Sequence, residues 1–265
     1  MSSPQLLYYK MGEKVTAFSS TRHGGCSRGN HGSFNVNRYC GDDEDCIARN
    51  MESLKSLLDV RQVFMPHQVH ATEVLQVRQA DPRDGMADDL EGVDALITDV
   101  AGICIGVSTA DCIPILLYDP ARHAAAAIHA GWRGTAKRIA EKTVAQMHHT
   151  FGTRPEQLKA VIGPGISLHA FEVGDEVYQQ FREALFPMDK IARRYPAKLT
   201  PEGGTAGGLK WHIDLPLCNR LQLEAAGVSQ IQMSSICTWQ QSEDYFSARK
   251  LGVRSGRILS GVVLR

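Results

Sequence analysis

Residues 124–135 read "AAAAIHAGWRGT". In this segment His129 ends a run of small apolar residues, and two glycines lie shortly after it. A strand end that leads into a helix is a frequent ligand site, because free backbone N–H groups and the helix dipole point at the bound group. For a single histidine, however, a core position with a hydrogen bond to a backbone carbonyl is the more common arrangement. His129 alone therefore does not define a site.

Cys112 stands at the front of a strongly apolar segment, and the turn-rich "DPARH" joins this segment to the one that ends at His129. The pattern predicts an antiparallel hairpin that brings Cys112 and His129 to the same end. His70, in "MPHQVHATEV", comes just before another predicted strand and could approach from a neighbouring sheet edge. Two imidazoles and one thiolate form a complete ligand set for catalytic zinc, which keeps a fourth position for water. Apart from His67 and His70, close ligand pairs are missing from the sequence, so spacing alone indicates a metal only weakly.

These residues must be positioned by a mixture of strands and helices. Short β-branched or apolar segments predict strands at 15–20, 73–77, 94–98, 103–108, 113–118, 124–129, 159–162, 230–235 and 258–264. Apolar periodicity predicts helices over 47–58, over 136–147 with Thr135 as N-cap, after Gly174 with Val177, Phe181 and Leu185 on one face, and between Asp214 and Gly227.

The helices are too few for a repeated βαβ series, so the sequence favours an α+β fold with mixed sheets covered by helices. We expect a single domain over residues 1–265, with the glycine-rich stretch 200–210 as a surface loop rather than a linker.

The composition excludes several classes of protein. Apolar residues make up 43% of the chain, and 29 basic residues balance 29 acidic ones. We therefore expect a globular protein with neither nucleic acid nor a membrane as its main partner. Seven scattered cysteines, an N-terminus without a signal-peptide pattern and the lack of a long apolar run predict a cytoplasmic protein.

Several motifs together resemble the YfiH/YlmD family, which is also described as a multicopper polyphenol oxidase or laccase domain. They are "STRHGGCS" at 20–27, "QVH" at 68–70, "TADCIPILL" at 109–117, "HAGWRGT" at 129–135, "IGPGI" and "FEVGDEV" within 162–177, "CT" at 237–238, "FSARK" at 246–250 and "SGR" at 255–257. The resemblance implies an α/β/β/α sandwich and a zinc site formed by His70, Cys112 and His129. It also implies phosphorolysis of adenosine, inosine, guanosine and methylthioadenosine, together with deamination of adenosine.

This chemistry can be assigned to individual residues. Zinc lowers the pKa of a bound water, which supplies the nucleophile that deamination of an adenine ring requires. Phosphorolysis requires a bound phosphate, and Arg22, Arg133 and Arg249 lie in the family-like motifs, although a surface charge or an ion pair is as common a role for each. Asp111 could orient a ligand imidazole or face the purine base.

Two positions depart from the family pattern. His169 stands where related sequences often carry cysteine, and Lys250 replaces the second arginine of the commoner form of "FSARK". Lysine lacks the planar fork with which arginine pairs with phosphate, so phosphate recognition would weaken if both charges mattered.

Three other functions remain open at this point. A copper-dependent polyphenol oxidase would need clustered histidines, whereas the ten histidines are dispersed. A metal-free cysteine hydrolase could use Cys112 as nucleophile and His129 as base. A non-catalytic role in cell-wall precursor metabolism is the third, because the family is also linked to peptidoglycan editing. The preferred nucleoside and the oligomeric state are not determined by the sequence.

Overall fold

The computed structural model describes residues 3–78, 90–196 and 208–265. Within these ranges the strands are β1 (Leu6–Tyr9), β2 (Val15–Ser20), β3 (Val63–Phe64), β4 (Val74–Gln76), β5 (Ala95–Thr98), β6 (Cys104–Thr109), β7 (Ile113–Asp119), β8 (Ala124–Ala130), β9 (Lys159–Ile162), β10 (Glu172–Val173), β11 (Ala192–Pro196), β12 (Leu209–Ile213), β13 (Gln230–Met233) and β14 (Ile258–Leu264). The α-helices are α1 (Glu44–Leu58), α2 (Trp132–Ala136), α3 (Ile139–Phe151), α4 (Asp175–Glu183), α5 (Met188–Ile191), α6 (Leu215–Ala225) and α7 (Ala248–Leu251).

The strands form two large mixed sheets and one small sheet. A five-stranded sheet has the order β1-β2-β14-β6-β3, and a six-stranded sheet has the order β13-β9-β7-β8-β5-β4. Most neighbours are antiparallel, but β3 with β6, β4 with β5 and β13 with β9 are parallel pairs. The small sheet has the order β10-β12-β11 and is antiparallel.

The two large sheets pack face to face through alternate side chains of their strands. Ile105 and Val262 of one sheet share an apolar cluster with Leu116 of the other. On the outer face of the six-stranded sheet, α3 packs against β8 and α6 packs against β9. On the outer face of the five-stranded sheet, Leu54 and Leu58 of α1 pack in a cluster with residues of β2, β6 and β14. The predicted α/β/β/α sandwich is therefore confirmed.

The predicted helices are present, with differences at their ends. Asp214 caps α6 by accepting a hydrogen bond from the Leu217 backbone N–H, as its residue type predicts. Thr135 is not an N-cap: it lies inside α2, and α3 begins only after Arg138, which has a left-handed backbone with φ of 66°. Leu185 follows the end of α4 and is 85% exposed, because Phe186 takes the buried position instead.

Some elements were not predicted from the sequence. The strands β1, β3, β10, β11 and β12 and the short helices α2, α5 and α7 are additions. Residues 200–207 of the predicted loop lie outside the described residues, and Leu209 and Lys210 at its end belong to β12. None of the helices in the three described ranges is long and apolar enough to cross a bilayer.

We predict that Leu54→Ala lowers the free energy of unfolding by about 2–5 kcal/mol, because this side chain is fully buried between α1 and the sheet. Urea denaturation measures the change. Leu57→Ala on the same helix is the matched control, since Leu57 is 43% exposed, and it should cost less than about 1 kcal/mol. Equal losses in the two variants would contradict this packing.

Candidate functional site

The register of three neighbouring strands brings the candidate ligands together. In the hairpin of β7 and β8, Ile113 pairs with Ala130 and Pro114 pairs with His129, so Cys112 lies one position beyond the last pair. On the other side of β8, Ala95 of β5 pairs with Ile128, which places Asp94 opposite His129. The predicted hairpin is confirmed, and it places Cys112 and His129 at the same end of the sheet.

Asp94 is fully buried and holds the His129 ring. The His129 Nδ1–H donates to Asp94 Oδ1 over 2.7 Å, and the His129 backbone N–H donates to the Asp94 carbonyl over 2.8 Å. Burial alone would raise the pKa of Asp94, but the hydrogen bond and charge of His129 lower it. Because Nδ1 is engaged with the carboxylate, Nε2 is the ring nitrogen that His129 can offer to a metal.

The same carboxylate also holds the segment that carries His70. Its two oxygens accept hydrogen bonds from the backbone N–H groups of Val69, His70 and Ala71 at 3.3, 3.0 and 2.8 Å. His70 has a left-handed backbone with φ of 62°, and its Nε2 lies 3.7 Å from Cys112 Sγ. The bend at His70 therefore directs its imidazole toward the thiol.

Gly131 leaves room for the other two side chains. A Cβ at this position would lie 2.7 Å from His70 Cδ2 and 3.1 Å from Cys112 Sγ. A glycine is therefore required at position 131 for a steric reason, because any side chain there would displace the neighbouring imidazole or thiol.

The three side chains form a group that can hold a metal ion. The ligand atoms of His70, Cys112 and His129 all lie within 4.8 Å of one another. Burial would raise the pKa of the Cys112 thiol, but the adjacent His129 charge and hydrogen bonds from both histidines lower it. The thiolate is the form of cysteine that binds metals, and a His₂Cys set is a known catalytic zinc arrangement. The donors present therefore fit the metal that the sequence suggests.

The ligand group opens into a cavity of about 590 Å³. This volume lies within the usual range for sites that bind small molecules. The wall contains polar, charged, aromatic and aliphatic side chains: Asn37, Tyr39, Cys40, His67, Gln68, Ser108, Thr109, Asp111, Ile166, Phe171, Arg249, Val253 and Arg257.

Asp111 lines this cavity but does not orient an imidazole. It lies before the first residue of β7 and has a left-handed backbone with φ of 83°. Its carboxylate accepts hydrogen bonds from Thr238 Oγ1 and from the Arg249 backbone N–H, both at 2.7 Å. Asp111 therefore fixes the C-terminal segments against the cavity, and the orienting carboxylate is Asp94.

The three arginines named from the sequence lie in different places. Arg249 lines the cavity, and its guanidinium lies 5.6 Å from the centre of the Phe171 ring. Arg22 is outside the cavity wall, where Nε donates to the Gly32 carbonyl and Nη1 to the Ser242 carbonyl. Arg133 is exposed and stacks over the Trp132 ring at 4.3 Å. Only Arg249 of the three is thus placed to contact a ligand in the cavity.

Both departures from the family pattern lie off the cavity wall. His169 is exposed, with its ring 5.0 Å from that of Tyr195. The Lys250 ammonium lies 5.4 Å from the centre of the Trp239 ring. Neither residue is among those that line the cavity.

Sequence reasoning missed Asp94 and Arg257. Asp94 immediately precedes a strand whose four residues are all buried, and a buried carboxylate requires a partner, which is the signal that could have identified it. Arg257 stands in the recognised "SGR" motif and lines the cavity, while its guanidinium donates to the carbonyls of Val253 and Gly256. Its place in that motif is the signal that could have identified it.

A cavity of small-molecule size with a His-Cys-His group in its wall defines an enzyme with a candidate metal centre. Comparison with known proteins also supports an enzyme. The chain belongs to the family described as multi-copper polyphenol oxidoreductase laccase, which matches residues 16–265.

Three similar proteins illustrate the family. A purine nucleoside phosphorylase of Bacteroides thetaiotaomicron is 43% identical over 94% of this chain and 92% of its own. Adenosine deaminase RL5, from an unknown prokaryotic organism, is 39% identical over 97% of each chain. The crystal structure of Bacillus licheniformis hypothetical protein YfiH superposes with a TM-score of 0.87 at 28% identity, covering 99% of this chain and 97% of that one.

We predict that Asp94→Asn weakens metal binding at this group about 10- to 100-fold, with added Zn²⁺ as the probe, because an amide NH₂ would face backbone N–H donors and disturb both histidines. Competition with a colorimetric chelator measures the affinity. Asp99→Asn, which removes an exposed carboxylate from the end of the same strand, is the matched control and should bind zinc normally. Normal zinc affinity in Asp94→Asn would show that this carboxylate does not position the ligands.

Proposed function

We propose that this protein is a zinc-dependent enzyme of purine nucleosides, which cleaves adenosine, inosine, guanosine and methylthioadenosine with phosphate and also deaminates adenosine. The observation that carries the proposal is the His-Cys-His group in the wall of a cavity that also holds Arg249. The names of the similar proteins, a purine nucleoside phosphorylase and an adenosine deaminase, support the choice of substrate class.

His70, Cys112 and His129 would hold the zinc ion, and Asp94 would keep the two imidazoles in place. When bound, zinc supplies Lewis acidity and activates water near neutral pH, which deamination requires. Three protein ligands are the pattern of catalytic rather than structural zinc sites. Among the described residues, this is the one group of three or more potential ligands that lies close enough together to hold a metal.

Arg249 would bind the phosphate, and Arg257 would add positive charge beside it. The backbone of Arg249 is fixed by Asp111, and one guanidinium nitrogen donates to the Glu172 carbonyl over 3.0 Å. A guanidinium held in this way is preorganised, so it loses little entropy when it pairs with an anion. Phosphorolysis needs such a group because the dianionic nucleophile must be held against C1′ of the ribose.

We predict about one zinc per chain after demetallation and reconstitution, measured by elemental analysis. His129→Gln, His70→Gln and Cys112→Ser should fold, lose most of the zinc and lose both reactions, because an incomplete ligand set fails as a unit. Full zinc and near-normal turnover in His129→Gln would show that His129 is a structural core histidine.

The same measurements separate two other functions. Several equivalents of copper with phenol oxidation would support the oxidase, and a zinc form without turnover of any nucleoside would support a non-catalytic role.

We predict that Arg249→Ala lowers the rate of phosphorolysis by about 10²–10³-fold and affects deamination much less. Product analysis by mass, with and without phosphate, measures the two reactions in one sample. Arg133→Ala is the matched control. Arg133 is another of the three arginines named from the sequence as candidate phosphate ligands, but its side chain lies outside the cavity wall. Equal losses of both reactions in Arg249→Ala would indicate a role in folding or general binding.

A second candidate is a cysteine hydrolase that works without metal. Cys112, His129 and Asp94 have the order of a nucleophile, a base and an orienting carboxylate. The metal assay separates the two functions, because zinc bound to the thiolate leaves no free nucleophile. A zinc-free protein that keeps its full catalytic activity, and whose Cys112 is rapidly alkylated by iodoacetamide, would support the hydrolase.

A further inference from the structure

Two cysteines outside the candidate metal centre lie side by side. The Cys26 thiol donates to the Cys46 carbonyl at 3.4 Å, and the Cys46 thiol donates to the Cys26 carbonyl at 3.1 Å. Burial, together with the contact with the Cys46 thiol, raises the pKa of Cys26 to about 11. The reciprocal contacts place each sulfur next to the backbone of the other residue.

The loop that carries Cys26 is already fixed to α1. The Asn50 side-chain oxygen accepts from the Cys26 backbone N–H over 3.0 Å, and its NH₂ donates to Ser27 Oγ and to the Asn35 carbonyl. The two cysteines are thus held together by hydrogen bonds that do not involve their sulfurs.

Cys46 has a cationic neighbour on its own helix. Cys46 lies in the first turn of α1, and the Arg49 guanidinium donates to its sulfur over 3.4 Å. Cys26 and Cys46 are partly exposed, as is Cys112 of the candidate metal centre, whereas Cys40, Cys104, Cys218 and Cys237 are buried.

We propose that Cys26 and Cys46 form an oxidative modification site, at which hydrogen peroxide converts the two thiols into a reversible disulfide. The Cys46 thiolate attacks one peroxide oxygen, so that an S–O bond forms, the O–O bond breaks and hydroxide leaves as water. The Cys26 thiol then attacks the Cys46 sulfur, and the S–O bond breaks with release of a second water. Two thiols lose two electrons in total, and one peroxide is reduced to two waters.

The disulfide would link the loop to α1 across 20 residues of chain. Closing a loop of this length restricts the unfolded chain and stabilises the folded protein. The linked segment contains Asn37, Tyr39 and Cys40 of the cavity wall. The proposal does not depend on the proposed nucleoside chemistry, because neither cysteine belongs to the metal centre.

The test treats the zinc-loaded, full-length protein with hydrogen peroxide, blocks the remaining thiols and maps disulfides by mass spectrometry after trypsin. Cys26 falls in the peptide 23–28, and Cys46 falls in the peptide 39–49 together with Cys40. We expect these two peptides linked with the loss of two hydrogens, and fragmentation should place the bond on Cys46. The oxidised protein should melt roughly 5 °C or more above the reduced protein, and dithiothreitol should reverse both changes.

Variants make the assignment specific. Cys46→Ser and Cys26→Ser should abolish both the link and the rise in Tm, whereas Cys218→Ala, which removes a buried helix thiol, should keep both. A bond through Cys40, the absence of a link, or a link without a rise in Tm would each overturn the proposal. Because the wild-type protein is mapped directly, the result does not require that any variant folds.

Discussion

A single buried carboxylate determines the geometry of the candidate metal centre. Asp94 has no exposed surface, yet its oxygens receive the His129 ring and three successive backbone N–H groups from Val69 to Ala71. A buried charge is tolerated only when it is fully hydrogen-bonded. These hydrogen bonds therefore compensate the charge and at the same time hold both histidines of the group.

The sheet supplies the other constraint, which is register. Along β8, Ala125 and Ala127 face the five-stranded sheet, whereas Ala126 and Ile128 face α3, so His129 lies on the side between the sheets. A slip of one residue would turn the imidazole to the opposite face. The pairing of Ala-rich β8 with β5 and β7 is buried on both faces, and this burial fixes the register on which the ligands depend.

The sequence predicts the scaffold better than the cavity wall. Apolar runs such as 113–118 and 124–129 locate the central strands, because buried strands require them, and the hairpin then predicts that Cys112 lies beside His129. Short edge elements such as β3 and β10 have only two residues each, too few to form a pattern. Asp94, Tyr39 and Arg257 converge from distant segments, and only the tertiary pairing reveals that they share one site.

The two halves of the cavity have different structural origins. The candidate metal ligands come from strand ends and from the segment before β4, whereas Arg249 and Arg257 come from α7 and the segment before β14. Asp111 joins these halves, because it adjoins Cys112 in sequence and holds Thr238 and the Arg249 backbone through its carboxylate. The C-terminal segment that carries Arg249 is therefore coupled to the strand end that carries Cys112 through one carboxylate, and this contact fixes how the two halves of the cavity wall face each other.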